Sequence, residues 1–312
     1  MVEIIPHIDT LIVDIGSKFT KIGYSGDFHP TYTFKTSSFS PFQATSYETA
    51  CKILEKYLKE CSVDSLILIE SPDFGFEDSS KILKFLFVNK LCQSVLLLKS
   101  PIADIFGFGK VSGTVLCCSA SSFRVSTVIN GRIVESHVLA GGSARLESAI
   151  SKLLADSGEN RGIVQDILQC EVFNDPAITV SSILESRESI ENLKARCGVD
   201  IFEILRPDIA AMVDKVVSTR SSYYINKKNS ANGCIILSGG LFRFDSFHNF
   251  VKSLILDRIG ADFADFVLRD RNLNCTFVGA SVFGMNNQTK TMFMTYYDWQ
   301  NVGADILKVK TL

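Results

Sequence analysis

The amino-acid sequence predicts an α/β fold built from two similar halves. Three observations carry this prediction: apolar runs of strand length alternate with amphipathic helical patterns, two strand–turn–strand hairpins occur, and each half closes on an apolar strand with a polar or glycine-rich turn. Strands that alternate with helices are typical of sheets covered by helices. A chain of 312 residues is long enough to bury the cores of two domains.

Strand-sized apolar runs give the predicted strands, which in chain order are residues 11–14, 21–25, 65–70, 95–99, 113–118, 125–129 and 234–237. The first two runs form a hairpin whose turn holds Asp14, Gly16 and Ser17. The fifth and sixth runs form a second hairpin, with Cys117 and residues 119–122 at its turn. Only the first turn keeps an acidic residue and a glycine, so the two hairpins share a pattern but differ in chemistry.

Helices are predicted where apolar side chains recur on one stripe, over residues 47–61, 79–90, 146–154, 183–196, 209–218 and 247–259. Because each half runs from a hairpin through helices to a closing strand, the pattern indicates duplication of one α/β unit. In the second half the closing turn is Ser238-Gly239-Gly240. The polar stretch over residues 218–232 is predicted to be a surface connection.

Composition and charge exclude several classes of partner and site. With a net charge of −2 and 21% charged residues, nucleic acid and anionic membrane surfaces are not expected as main partners. No apolar run reaches the length of a transmembrane helix, and residues 1–9, with Glu3 and Pro6, do not resemble a signal peptide. A cytosolic or nuclear protein is therefore expected. The nine cysteines and four histidines are dispersed, so no metal site is expected.

Five segments, taken in chain order, resemble actin and the actin-related proteins: residues 14–27, 139–142, 236–240, 277–281 and 294–306. The resemblance implies an actin-like fold, in which two duplicated α/β domains lie on either side of a nucleotide cleft. It places the first domain at residues 1–107 plus 276–312 and the second domain at residues 108–275.

The implied cleft would hold phosphate oxygens on the backbone N–H groups of two glycine-containing turns and a cation on carboxylates. Asp14, Gly16 and Ser17 match the family's first phosphate loop, and Lys21 matches its phosphate-side lysine. The other positions that the resemblance assigns to the nucleotide cleft are Lys99, Lys194, Gly239 and Gly240. A strand-end cap is the alternative role for Asp14.

The second phosphate loop departs from the family pattern. Cys117 stands where the family has its cation-organising aspartate, Ser119-Ala120-Ser121 replaces a Gly-Asp-Gly turn, Arg124 replaces a histidine and Lys99-Ser100 a water-orienting glutamine. Each preorganised group in such a site is worth about 10²–10³ in rate, so the resemblance implies that hydrolysis is lost and that no residue is catalytic. Lys99 and Arg124 could hold ATP or ADP without turnover. Alternatively, both are solvent or salt-bridge residues in an empty cleft, and the sequence leaves both readings open.

Residues 33–64 are only 32 positions, roughly half of what the family uses between these strands. The small subdomain at the pointed end of actin is therefore expected to be largely deleted. At the C-terminus, the aromatic side chains of Tyr296, Tyr297 and Trp299 are expected either to anchor a partner or to pack in the core.

The shortened segment at residues 33–64 and the altered second phosphate loop resemble those of the actin-related subfamily at the pointed end of the dynactin filament. The segment over residues 183–197 also resembles that subfamily. This resemblance implies a non-catalytic cytoplasmic, cytoskeletal scaffold. Its expected partners are the actin-like filament subunits and the other pointed-end subunits of dynactin, without nucleic acid and without insertion into a membrane. Two alternatives stay open: an actin-related subunit of a nuclear chromatin-remodelling complex, and an active ATPase or sugar kinase of the same superfamily.

Overall fold

The computed structural model describes residues 10–36, 47–60, 63–156, 163–164, 176–224, 234–270 and 274–310. Residues 225–232 of the predicted surface connection lie outside these ranges. The chain divides into two compact units by contacts. The first unit is Met1–Ser112, Val128–Val134 and Asn274–Leu312, and the second is Gly113–Thr127 and Glu135–Leu273.

The first sheet has six strands in the order β11-β5-β4-β1-β2-β3. They are β1 (Thr10–Ile15), β2 (Phe19–Tyr24), β3 (Tyr32–Lys35), β4 (Ser65–Glu70), β5 (Ser94–Lys99) and β11 (Met294–Thr295). The β1–β2 and β2–β3 pairs are antiparallel, whereas β4 pairs in parallel with both β1 and β5. The predicted first hairpin is thereby confirmed.

The second sheet has five strands in the order β10-β9-β6-β7-β8. They are β6 (Gly113–Cys118), β7 (Ser122–Ile129), β8 (Arg132–Ala140), β9 (Ile235–Ser238) and β10 (Val267–Arg269). β9 pairs in parallel with both β6 and β10. If the strands of each sheet are numbered from that sheet's own first strand, both sheets have the spatial order 5-4-1-2-3. The first sheet has β11 as an additional edge strand.

The described helices are α1 (Tyr47–Glu60), α2 (Phe76–Val88), α3 (Ser100–Gly107), α4 (Ala144–Asp156), α5 (Pro176–Glu185), α6 (Arg187–Cys197), α7 (Ile201–Tyr224), α8 (Asp245–Ile259), α9 (Cys275–Met285), α10 (Tyr296–Val302) and α11 (Leu307–Lys310). The mixed α/β class and the seven predicted strands are confirmed. Among the helices described, none combines the length and the hydropathy that crossing a bilayer requires.

The first sheet is covered by helices on both faces, which explains its continuous apolar runs. Alternate strand residues such as Leu66 and Leu68 join α1 and α2 in one buried cluster. On the opposite face, α9 packs so closely that a side-chain carbon at Gly284 would lie 2.9 Å from the Ile67 side chain. α3 packs against α9, where a side-chain carbon at Gly279 would overlap the carbonyl oxygen of Ala103.

The core of the second unit joins β6 and β9 to its helices. Leu116 and Leu237 are fully buried in one cluster with the apolar stripes of α4, α7 and α8. The sequence predicts one helix over residues 183–196, but the chain breaks there into α5 and α6. Ser186 causes the break because it is extended and its side chain accepts a hydrogen bond from the Ser189 N–H, which caps α6.

Candidate functional site

The first predicted phosphate loop is a short turn between β1 and β2. The Gly16 N–H donates to the Phe19 carbonyl at 3.0 Å, and the Thr36 hydroxyl donates to the Gly16 carbonyl at 2.7 Å. Asp14 and Lys21 are cross-strand partners, with Nζ 3.6 Å from Oδ2 and both side chains 15% exposed. The sequence-predicted loop residues thus share one hairpin, and Ser17 lies in its turn.

The carboxyl ends of β1, β4 and β5 meet at the same edge of the first sheet, the place where parallel sheets bind ligands. Here Lys99, at the end of β5, donates from Nζ to Glu70 Oε2 at 2.9 Å and to the Phe74 carbonyl at 2.8 Å. The Ser79 hydroxyl also donates to Glu70 Oε2, at 3.0 Å. The ammonium of Lys99 is therefore part of a salt bridge, which is one of the two roles that the sequence left open for this residue.

Glu70 is a residue of this candidate site that the sequence did not predict. Its side chain is fully buried, and Oε1 has no hydrogen-bond partner in the described part of the chain. Burial raises the pKa of the Glu70 carboxyl although Lys99 and Ser79 act to lower it. The available signal was an acidic residue at the end of an otherwise apolar strand, beside a strand that ends in lysine.

The second hairpin turn is closed by its own hydrogen bonds. The Ser119 N–H donates to the Ser122 carbonyl at 3.0 Å, and the Ser122 N–H donates to the Ser119 hydroxyl at 3.1 Å. The turn is also fixed to the start of α4, since the carbonyls of residues 119–121 accept from the N–H groups of residues 141, 143 and 144. Cys117 is half-buried before this turn, and Arg124 is half-buried on β7. The turn therefore offers hydroxyls where the family has a carboxylate.

The two glycines after β9 have different surroundings. Gly239 has a φ of 101° and lies against the end of β6, so that a side-chain carbon there would overlap the carbonyl oxygen of Cys118. Gly240 has no atom within 4 Å of the equivalent position. Gly239 is thus required by packing between β9 and β6, whereas Gly240 borders open space.

Lys194, which the resemblance assigns to the nucleotide cleft, lies near the end of α6 with its side chain 65% exposed. Its Nζ lies 2.7 Å from Asp200 Oδ2. Hydrogen bonding and charge attraction from Asp200 raise the pKa of Lys194. Burial raises the pKa of Asp200, but hydrogen bonds from Lys194, Glu203 and Phe202 outweigh it, so the net shift is downward. Asp200 also caps α7 through the last two of these bonds.

Within the first unit, the structure brings Asp14, Gly16, Ser17, Lys21 and Lys99 to one sheet edge. Lys194, Gly239 and Gly240 belong to the second unit, where Gly239 contacts the second hairpin. In the described part of the chain, no three His, Cys, Asp or Glu side chains come together as a metal-ion site.

The C-terminal aromatic residues differ in how far they contact the core. The rings of Trp299 and Tyr296 each lie 5.9 Å from the ring of Phe87, a core residue of the first unit. Tyr297 is 72% exposed. It borders a groove of about 1050 Å³, between the ends of α1 and α2 and the start of α10. Trp299 and Tyr296 therefore contact the core, although Tyr296 is still 38% exposed, and Tyr297 is left at the surface.

A scan against protein-family models finds no family that matches this chain, and a search of curated proteins finds no similar sequence. The features that bear on function are the strand order, the two hairpin turns and the sheet edge that holds Lys99.

Proposed function

We propose that this chain is a non-catalytic actin-related scaffold that caps the pointed end of the short actin-like filament of dynactin and so supports dynein-driven transport. The observation that carries the proposal is the shared strand order of the two sheets, each centred on a strand–turn–strand hairpin. A shared order is expected if one unit, with a strand–turn–strand hairpin that binds phosphate, was duplicated. Together with the five segments that resemble actin, it supports an actin-like fold around a nucleotide cleft.

Loss of catalysis follows from the residues of the second turn and from Lys99. The second turn contains hydroxyls and Cys117 in place of a carboxylate that would organise a cation. Lys99 stands in place of the water-orienting residue and is held by Glu70. Because each such group is worth about 10²–10³ in rate, their combined loss leaves no useful turnover. ATP or ADP held without turnover remains compatible with the first loop.

The capping role is supported by the connection between β3 and α1. Strand β3 ends at Lys35 and α1 begins at Tyr47, so residues 36–46 are all that separates them. They belong to residues 33–64, which correspond to the roughly twice longer interval in actin that holds the subdomain whose loop contacts the next subunit at the pointed end. A chain without it can bind a filament through its opposite face but offers little surface for another subunit.

Affinity purification of the tagged full-length chain from cell extract tests the assembly. The proposal expects actin-like filament subunits and the other pointed-end subunits of dynactin among the bound proteins, in the cytoplasmic fraction. Recovery of chromatin-remodelling ATPases instead would support the nuclear alternative and contradict the cap.

ATP turnover by the purified chain tests the loss of catalysis. We expect no release of phosphate above the protein-free rate, either from the unmodified chain or from the Asp14→Ala variant. The matched control is Asp257→Ala, which removes an exposed carboxylate from α8 in the second unit. Turnover that Asp14→Ala abolishes and Asp257→Ala preserves would show that the chain is an active ATPase.

A further inference from the structure

Lys99 lies at the edge of the first sheet, and its side chain is not fully buried. Its side chain is 12% exposed, and Nζ donates to two acceptors, Glu70 Oε2 and the Phe74 carbonyl. An ammonium has three N–H donors, so one donor remains without an acceptor in the described part of the chain. Charge-assisted hydrogen bonds from such a donor are strong, and phosphate oxygens are suitable acceptors.

Glu70 is poised to change its charge. Both oxygens are buried, Oε2 accepts from Lys99 and Ser79, and Oε1 accepts no hydrogen bond in the described chain. The residue lines a cavity of about 20 Å³, which is room for a single water molecule. Burial raises the pKa of Glu70, as does the charge of Asp78 on α2 to a smaller extent. In the described part of the chain, Lys99 is the cation that opposes them.

We propose that the first sheet's edge binds a phosphate-bearing anion at Lys99 and that Glu70 takes up one proton when the anion binds. The inference rests on the proposed function, because it treats this edge as the surviving phosphate side of an ancestral cleft. It adds a residue, Glu70, and a proton that the resemblance does not imply.

The charges of the anion, Lys99 and Glu70 explain why anion binding is coupled to proton uptake rather than to proton release. An anion that accepts a hydrogen bond from Lys99 weakens the attraction between the ammonium and Glu70, and it also repels the carboxylate directly. A buried carboxylate without a paired cation is costly, so the neutral acid becomes the favoured form. The proton comes from the buffer and adds to Oε1, the oxygen without a partner. No bond in the anion breaks.

Isothermal titration calorimetry of the full-length chain with ADP and with inorganic pyrophosphate tests the coupling. Titrations at pH 6 and pH 8, in buffers of different ionisation enthalpy, give the number of protons taken up. We expect uptake approaching one proton, with affinity falling about tenfold for each pH unit above the pKa of Glu70. Equal behaviour of the two ligands assigns the binding to phosphate alone, and tighter binding of ADP adds a contribution from the nucleoside.

Variants separate the coupling from nonspecific charge effects. Glu70→Gln should abolish proton uptake and bind ADP at least about tenfold more tightly than the unmodified chain at pH 8. Glu55→Gln is the matched control, because it removes the same charge from an exposed pair with Lys59 and should change neither quantity. The double variant Glu70→Gln, Lys99→Met should lose the gain in affinity.

Three results would overturn the inference: binding without proton uptake, equal affinity of Glu70→Gln and the unmodified chain, or absence of binding by both. Thermal unfolding of each variant shows whether it is folded. If Glu70→Gln does not fold, the proton count of the unmodified chain decides alone. ATP hydrolysis would overturn the proposed function and would leave this proton count unchanged, so the two failures are distinguishable.

Discussion

Gly239 and Gly240 are identical residues side by side in the turn after β9, but they meet different physical demands. Gly239 combines a φ of 101° with close contact to the backbone of Cys118. An L-residue rarely adopts this conformation, and here its Cβ would also overlap a carbonyl oxygen that cannot move without distorting β6. Gly240 begins a short 3₁₀ turn with open space around its missing side chain.

Gly239→Ala should therefore destabilise the protein by about 3 kcal/mol, through backbone strain and overpacking. Gly240→Ala is the matched control and should change the free energy of unfolding by less than about 0.5 kcal/mol. Urea denaturation followed by circular dichroism measures both. Equal effects of the two substitutions would show that the contact between Gly239 and Cys118 does not constrain the turn.

The proximity of site residues could be predicted where those residues are close together in the sequence. Asp14, Gly16 and Lys21 lie in one hairpin, so their proximity follows from a short turn in the sequence. The pairing of Glu70 with Lys99 was not predictable in the same way, because it depends on the register of β4 and β5. A salt bridge between residues 29 positions apart leaves no periodic pattern in the sequence.

At the scale of an element, α10 depends on a capping box at its first turn. The Thr295 side chain accepts from the Asp298 N–H at 3.0 Å, and Asp298 accepts in return from the Thr295 N–H at 2.9 Å. Lys310 donates to the same carboxylate at 2.9 Å. The Thr295 N–H, and after it the ammonium of Lys310, lower the pKa of Asp298 to about 2.

Asp298→Asn should cost about 1 kcal/mol at pH 7, a value reduced from the full shift because solvent screens the carboxylate. The folded pKa is lower than the unfolded one, so the contribution is present above about pH 4 and is lost as the pH falls towards 2. Denaturation at several pH values measures this difference. Asp305→Asn, in an exposed pair with Lys308, is the control and should show a smaller loss at pH 7. A difference that persists unchanged at pH 2 would contradict the role of the charge.

Helix α9 shows why some elements cannot be predicted from periodicity. It is buried against α3 and the first sheet, with apolar side chains such as Phe277 and Phe283 on more than one side. A helix surrounded by protein has no polar stripe, so its sequence lacks the pattern that identified α1. The same reason applies to α3. The helices that were predicted have a solvent-facing side. Helices α3 and α9 were not predicted, and neither were the short C-terminal helices α10 and α11.

At the scale of the whole molecule, each unit is built around one sheet and the two sheets have the same internal order, although the end of β7 and the start of β8 group with the first unit. This order is a property of the long-range pairing of strands, and the sequence could indicate it only as a repeated succession of hairpin, helices and closing strand. The repeat explains how one turn can keep its acidic residue while the equivalent turn loses it. The turn of each hairpin lies in its own unit, so the two turns can differ in chemistry.

A molecule that caps one end of a filament should be present once per filament, because no subunit can add beyond it. We expect the fluorescently labelled full-length chain, added to assembling actin-like subunits, to appear as one spot at one end and to stop growth there. The proposed reason is that residues 33–64 are roughly half of what the actin family uses at its pointed end, which leaves little surface for another subunit. Single-filament fluorescence microscopy measures both the position and the copy number. Labelled actin is the control and should appear along the whole filament. The same pattern for this chain would mean that it polymerises rather than caps.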